Sequence, residues 1–246
     1  AKPGTLAVIF KNIFHIKKFK FMYKIIFLIL LIIISNSTNA QEPINAYSKD
    51  EKIYIEYDNG QVKEVVSDKG NEIIIFTRKS NFILYQKLLK KSNPPVNDDG
   101  SFESSDQLAI YLFDIKSDSS KLLFTTCHDG TGGTKPSYSE STIYPFSTIC
   151  NPSSFMFSPD ESKIFFESPA WQVCPSIHYY NLKENKLVFF KAGWLKKIDT
   201  KGVQVQVTGV DYVIVKGERQ SRGRYWQDRL FDFNGKLIKN IGEKEH

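Results

Sequence analysis

The chain has 246 residues, with 33 Lys and Arg against 27 Asp and Glu. Residues 1–40 hold Lys2, Lys11, Lys17, Lys18, Lys20 and Lys24 and no acidic residue, so the net charge of +6 lies wholly in that stretch. The balanced remainder lacks the basic excess on which binding to nucleic acid depends, which removes the electrostatic case for such a partner.

The first legible element is Ile25–Ile34, IIFLILLIII, an uncharged apolar run preceded by Lys24 and followed by Ser35-Asn36-Ser37-Thr38-Asn39-Ala40. Basic flank, short apolar run and small residues form a secretory signal peptide. The run is too short to cross a bilayer, which takes about 20 residues, so contact with the membrane is expected only during export. Cleavage after Ala40 leaves a chain that starts at Gln41. Met22 is read as the true start, with residues 1–21 as upstream extension. Residues 41–246 are then one domain, exported to the periplasm or the extracellular space.

Helical periodicity is nearly absent after residue 41. Short runs of Phe, Tyr, Ile and Val alternate with Gly, Asn, Asp, Ser and Pro, the pattern of an all-β chain. IEYDNGQVKEV (Ile55–Val65) contains Asn59-Gly60 between alternating runs, and both residues tolerate the positive φ of a tight hairpin. Three segments then read as strand, short turn, apolar strand: Glu64–Thr77, Phe155–Ser168 and Val205–Glu218. Each is followed by a second pair of strands around a polar turn that ends Lys-Leu: Leu108–Phe124 with Lys121-Leu122, Ser176–Phe190 with Lys186-Leu187, and Arg229–Ile241 with Lys236-Leu237. The expected architecture is a propeller-like array of about three four-stranded antiparallel meanders, with Lys52–Tyr57 adding part of another; a β-sandwich is the alternative. An incomplete ring would close by association with a second copy.

FSPDESKIFFES (Phe157–Ser168) followed by IHYYNLKENKLVFF resembles the TolB-like, WD40-like (PD40) β-propeller repeat, which pairs a Ser-Pro-Asp turn with a strand ending in tyrosine and then asparagine or aspartate. The resemblance covers Phe155–Phe190; the other two repeats keep the strand pattern without Ser-Pro-Asp. It implies a propeller blade and carries little functional content, since such repeats serve many functions.

In such an array the a–b and c–d turns share one end and the b–c and d–a connections share the other. The second end collects the long segments Arg78–Gln107, Cys127–Pro152, Ser168–Ser176 and Gly217–Gln227, which makes it the expected binding end. Arg219, Arg222, Arg224 and Trp226, with Trp171, are the candidate ligand-binding residues: arginine forks suit anions, and aromatic faces suit sugar rings. His128-Asp129, beside Gly130-Thr131-Gly132-Gly133, is either an acid/base pair or an ordinary polar turn. His178, between apolar neighbours, reads as a packed sheet histidine, and Asp160 as the cap of its own turn. No G-x-S-x-G, P-loop, HExxH or EF-hand pattern is present, so no cofactor or metal is expected. Cys127, Cys150 and Cys174 lie in the exported part, where one disulfide is favoured. Cys150–Cys174 is the expected bridge, since both precede strands of the middle repeat at one end, with Cys127–Cys150 as the alternative. The function expected is non-enzymatic binding or scaffolding toward a protein, glycan or small molecule. A secreted hydrolase or lyase using His128 and Asp129 is the alternative.

Overall fold

The computed structural model describes residues 41–77, 79, 81–91, 106–128, 132–137, 149–169, 175–216 and 218–245, with backbone alone at 210–215, 218–222 and 243–245. The apolar run Ile25–Ile34 and the Ala40 junction lie outside these residues. All regular structure among them is β. Fifteen strands form four antiparallel sheets, and within each sheet the strands neighbour one another in chain order. The first sheet is β1 (Pro43–Lys49), β2 (Lys52–Tyr57) and β3 (Val62–Val66). The second is β4 (Asn71–Thr77), β5 (Phe82–Lys90), β6 (Gln107–Asp114) and β7 (Ser119–Thr125). The third is β8 (Ser153–Phe157), β9 (Lys163–Ser168), β10 (Ser176–Asn181) and β11 (Lys186–Ala192). The fourth is β12 (Trp194–Asp199), β13 (Gly202–Val215), β14 (Glu218–Phe231) and β15 (Leu237–Glu245).

The chain forms two compact units. Of the described residues, one takes in 41–42 and 57–59, where Asp58 N–H donates to the Glu42 carbonyl (3.0 Å). The other takes in residues 43–56 and 60–246 and holds the body of all four sheets.

The expected meanders are present, three of them four-stranded, but two are grouped differently. Val62–Val66 and Asn71–Thr77 belong to different sheets, so Ser67–Gly70 is a crossing between sheets and not a turn inside one. The segment expected as strand–turn–strand from Val205 to Glu218 is mostly one 14-residue strand, β13. Gly209 does not break it; the Tyr225 ring sits where a Cβ would be, so this glycine marks a close approach. Of Gly217–Gln227, expected as a loop, Glu218–Gln227 is the first part of β14. Phe82–Lys90, expected within a connection, is a strand.

The third sheet is buried on both faces, and strand alternation explains how. Consecutive residues of a strand point to opposite faces, and β9 carries Phe165 and Phe166 side by side, both fully buried. Phe166 stacks on Phe124 of the second sheet (centroids 4.9 Å apart) and on Phe155 (5.2 Å). It belongs to a core with Leu84, Ile110, Ile164 and Tyr180. Phe165 meets Phe190 edge-on (5.2 Å) and shares the opposite core with Leu195, Val203, Val205 and Phe231 of the fourth sheet.

The Ser-Pro-Asp turn is held from inside. Asp160 accepts from the Ser158 hydroxyl (2.6 Å), the Ser162 hydroxyl (2.7 Å) and the Ser162 N–H (3.2 Å). Buried Ser158 in turn accepts from Lys163 N–H (3.0 Å). These bonds, first those from the serine hydroxyls, hold the Asp160 carboxyl down at about 2. The short-turn end also links neighbouring sheets through lysines. Lys63 pairs with Asp118 (2.7 Å), Lys79 donates to the Pro159 carbonyl (2.7 Å), and Lys163 donates to the Phe233 carbonyl (2.5 Å).

Two stability predictions follow from this packing. Phe165→Ala and Phe166→Ala should each cost about 3–5 kcal/mol in urea denaturation, against about 0.5 kcal/mol or less for the exposed Leu122→Ala. The Asp160 carboxylate contributes stability above the ordinary value of 3.8, which fades as pH falls toward about 2. Asp160→Asn should therefore cost about 1 kcal/mol at neutral pH, a figure kept small by the exposure of the carboxylate, and should lose less than the wild type on acidification.

Candidate functional site

The long connections do share one end of the sheets. Segments 91–106, 126–152 and 169–175 all leave from it, and β13 also ends there, at Val215. Its described centre is a disulfide. Cys127 bonds Cys150, with Cα atoms 5.0 Å apart. This corrects the expected Cys150–Cys174 pairing and selects the alternative; Cys174 lies outside the described residues. The physical reason is the route of the chain after β7. Thr134 N–H donates to the Thr125 carbonyl (2.8 Å) and Cys127 N–H to the Ile149 carbonyl (2.7 Å), which brings Cys150 back beside Cys127. Gly133, at φ +79°, lies against the Thr126–Cys127 backbone, where a Cβ would come within 2.8 Å of the Cys127 nitrogen. The chain then runs beside β11, with Ser137 N–H donating to the Leu187 carbonyl and Phe189 N–H to the Ser137 carbonyl (2.8 and 3.1 Å). The described part of the glycine-rich loop thus covers a sheet edge. His128 is half-buried at its start, and Asp129 lies outside the described residues.

A column of small polar groups leads inward from the disulfide. The Ser168 hydroxyl donates to the Cys150 carbonyl (2.7 Å), the Ser176 hydroxyl donates to the Ser168 carbonyl (3.0 Å), and Ser176 Oγ lies 2.7 Å from His178 Nε2. Ser176 has one proton, and the Ser168 carbonyl takes it, so the proton shared with His178 resides on Nε2. Such an imidazole cannot act as base toward Ser176. His178 is 1% exposed, stacks on Phe166 (5.6 Å) and meets Phe189 edge-on (5.6 Å). Burial pushes its pKa down to about 3. It is a neutral core histidine, as expected.

A cleft of about 390 Å³ at this end, beside the first and second sheets, is lined by Glu51, Asn71, Glu72, Gln86, Asp106 and Leu108. Two of its acids serve the fold: Glu51 accepts from Gly70 N–H (3.1 Å) and Glu72 from the Gln86 amide (2.8 Å). Among the described residues no group of three or more His, Cys, Asp or Glu converges as a metal would require.

The candidate binding residues are distributed unevenly. Trp171 lies outside the described residues. Arg219, Arg222, Arg224 and Trp226 are all in β14, not on a loop. Arg219 pairs across to Ile214, and Arg222 falls at a register irregularity between Ser221 and Gly223. Arg224 is exposed, and Trp226 is 42% exposed. Register gives them a face. Leu195, Val203, Val205 and Phe231 of the fourth sheet point into the core, so their chain neighbours point away from it. The outward rows are Trp194–Gln206–Asp228–Ile241 and Lys197–Gln204–Leu230–Lys239, with the Thr208–Trp226 and Val210–Arg224 pairs beyond. Gln204 donates its amide N–H to Asp228 Oδ2 (2.9 Å). Below these rows is a shallow depression of about 180 Å³ lined by Lys197, Asp199, Gln204, Leu230, Lys239 and Ile241.

Of the residues on this outward face, the sequence singles out Arg224 and Trp226 but not Trp194, Gln204, Gln206 or Asp228. The signal for the glutamines is visible in Val203-Gln204-Val205-Gln206-Val207, where valines alternate with amides and set one apolar face against one polar face. Comparison with known proteins adds no assignment: the chain matches no protein-family model, and no curated protein is similar to it.

The disulfide yields a direct measurement. Peptide mapping without reduction should recover Cys127 linked to Cys150. Replacing both by Ser should cost about 3 kcal/mol, the chain-entropy value for a loop of this length; a linked Cys150–Cys174 peptide would contradict the structure.

Proposed function

We propose that this is an exported, non-enzymatic binding protein that contacts its ligand, a protein or a glycan, with the outer face of the fourth sheet. The observation that carries the reading is Trp226, an indole left 42% exposed on a strand two residues from exposed Arg224. Water-exposed indole surface contributes nothing to folding, whereas Trp and Arg dominate the energetic centres of binding surfaces. Arg219 and Arg222 continue the same strand toward the loop-rich end.

Export rests on Lys24, Ile25–Ile34 and Thr38-Asn39-Ala40, read as a signal peptide cleaved after Ala40. The Cys127–Cys150 disulfide is compatible with an oxidising, exported compartment. The Ser-Pro-Asp turn and its flanking strands support membership among TolB-like, WD40-like repeats, whose stacked sheets offer a rigid base for binding and prescribe no particular ligand.

The test uses the exported protein, whose N-terminal sequence should begin at Gln41, and its retention on cell-envelope material of the source organism. Arg224→Ala combined with Trp226→Ala should weaken retention by about tenfold or more, while Glu184→Ala, on the opposite short turn, should leave it unchanged. Equal retention of all three proteins would overturn the assigned face.

A further inference from the structure

The two faces of the fourth sheet differ in kind. The inner one is a continuous apolar core. The outer one alternates: Trp194 and Trp226, two of the chain's three tryptophans, stand among Gln204, Gln206, Thr208, Asp228 and Arg224. The indoles are two strands apart across the sheet and one two-residue step apart along it, which separates their Cα atoms by about 12 Å in ordinary sheet geometry.

Resting on the reading of this face as the ligand surface, we propose that it binds an uncharged glycan, an extended chain of equatorially substituted pyranose rings laid obliquely across β12, β13 and β14. Three features select that occupant. First, the indoles are separated by amides and a carboxylate, so no contiguous apolar patch is on offer to an apolar peptide or a second copy of the chain. A pyranose has the matching make-up, with C–H groups on its flat faces and hydroxyls around its rim. Aromatic rings take up the faces, and side-chain amides and carboxylates take up the rim.

Second, Asp228 is held but not satisfied. The Gln204 amide occupies Oδ2, while Oδ1 has no hydrogen-bond partner. The Gln204 bond fixes a half-buried carboxylate between the indoles, and a sugar hydroxyl is a neutral donor to such a group. Third, among the described side chains the charge between the indoles is that of Asp228; Lys197, ion-paired with Asp199 (2.9 Å), and Lys239 lie one row further along the sheet. A nucleic acid or an acidic polysaccharide would stack its rings on the indoles only by bringing its own anions toward Asp228. Arg224 lies at the margin, where it has hydroxyls and ring oxygens to donate to. The depression beside Leu230 continues the surface along the sheet.

The experiment titrates the purified protein with cellohexaose and with chitohexaose, following tryptophan fluorescence and heat, with a hexamer of galacturonic acid as the acidic comparator. At least one neutral hexaose should bind and shift the tryptophan emission. Trp226→Ala should weaken that binding by about tenfold or more, and Trp226→Phe, which keeps a ring, should recover most of it. Trp194 is half-buried, so the ring-keeping Trp194→Phe is its counterpart and should weaken binding by less than Trp226→Ala does. Asp228→Asn should weaken the neutral hexaose, while Glu184→Ala should not. If neither neutral hexaose binds at millimolar concentration while envelope retention still depends on Arg224 and Trp226, the glycan assignment is overturned and the surface stands. Preference for the acidic hexamer overturns the uncharged class. Binding of a neutral hexaose that is indifferent to Trp226→Ala overturns the face itself.

Discussion

Two adjacent phenylalanines hold this fold together. Phe165 and Phe166 occupy one strand of the third sheet, and the alternation of a strand sends their rings to opposite sides. One enters the core shared with the second sheet, the other the core shared with the fourth. A sheet with one buried face tolerates polar residues on the other; this one has no such freedom. Ile164 and Phe166 fill one side, Phe165 and Ile177 the other, and His178 is neutral because it lies on a side with no water to share. The neighbouring sheets can remain half-polar because the third is not.

The fourth sheet shows what that relief permits. Its inner residues are committed to Phe165 and its partners, which leaves the outer ones to other chemistry. The sheet is joined to the third by Gly193 alone, at φ +135° and with a Cβ position only 2.5 Å from the Gln206 carbonyl oxygen. With one residue between β11 and β12, the fourth sheet has little room to reorient, and Glu167 fixes it further by accepting from Leu195 N–H. Trp194, first residue after this crossing, therefore stands at a set distance from Trp226. A surface that recognises a ligand by the spacing of two rings needs that kind of anchorage.

Much of the architecture was legible in the chain. The second halves of the meanders were recovered because polar turns of the form found at Lys183–Lys186 and Asp232–Lys236 bracket unambiguous β runs. Asn59-Gly60 marked the first hairpin for the same reason, and Gly60 has φ +79°. The failures lie where local signals mislead. Thr208-Gly209 resembles a turn, yet Gly209 stays extended because Tyr225 needs its space. That tertiary demand also converted the arginine-rich segment from a loop into a strand, which moved Arg224 and Trp226 from a rim to a flat face. Trp194–Asp199 is not among the expected strands, because the adjacent Lys196 and Lys197 interrupt the apolar alternation of β12. The disulfide depended on the path of the segment between Cys127 and Cys150, and no spacing rule carries that information.

The lysines at the short-turn end have a consequence for how such a chain changes over time. Two of the three links between sheets, from Lys79 to Pro159 and from Lys163 to Phe233, end on backbone carbonyls. A carbonyl is present whatever side chain its residue bears. The backbone bond itself therefore survives a change of side chain at the receiving residue, Pro159 or Phe233, and depends on the donating lysine. Sheets joined in this manner can differ in sequence while keeping a common stacking, and the Ser-Pro-Asp letters occur in one of them alone.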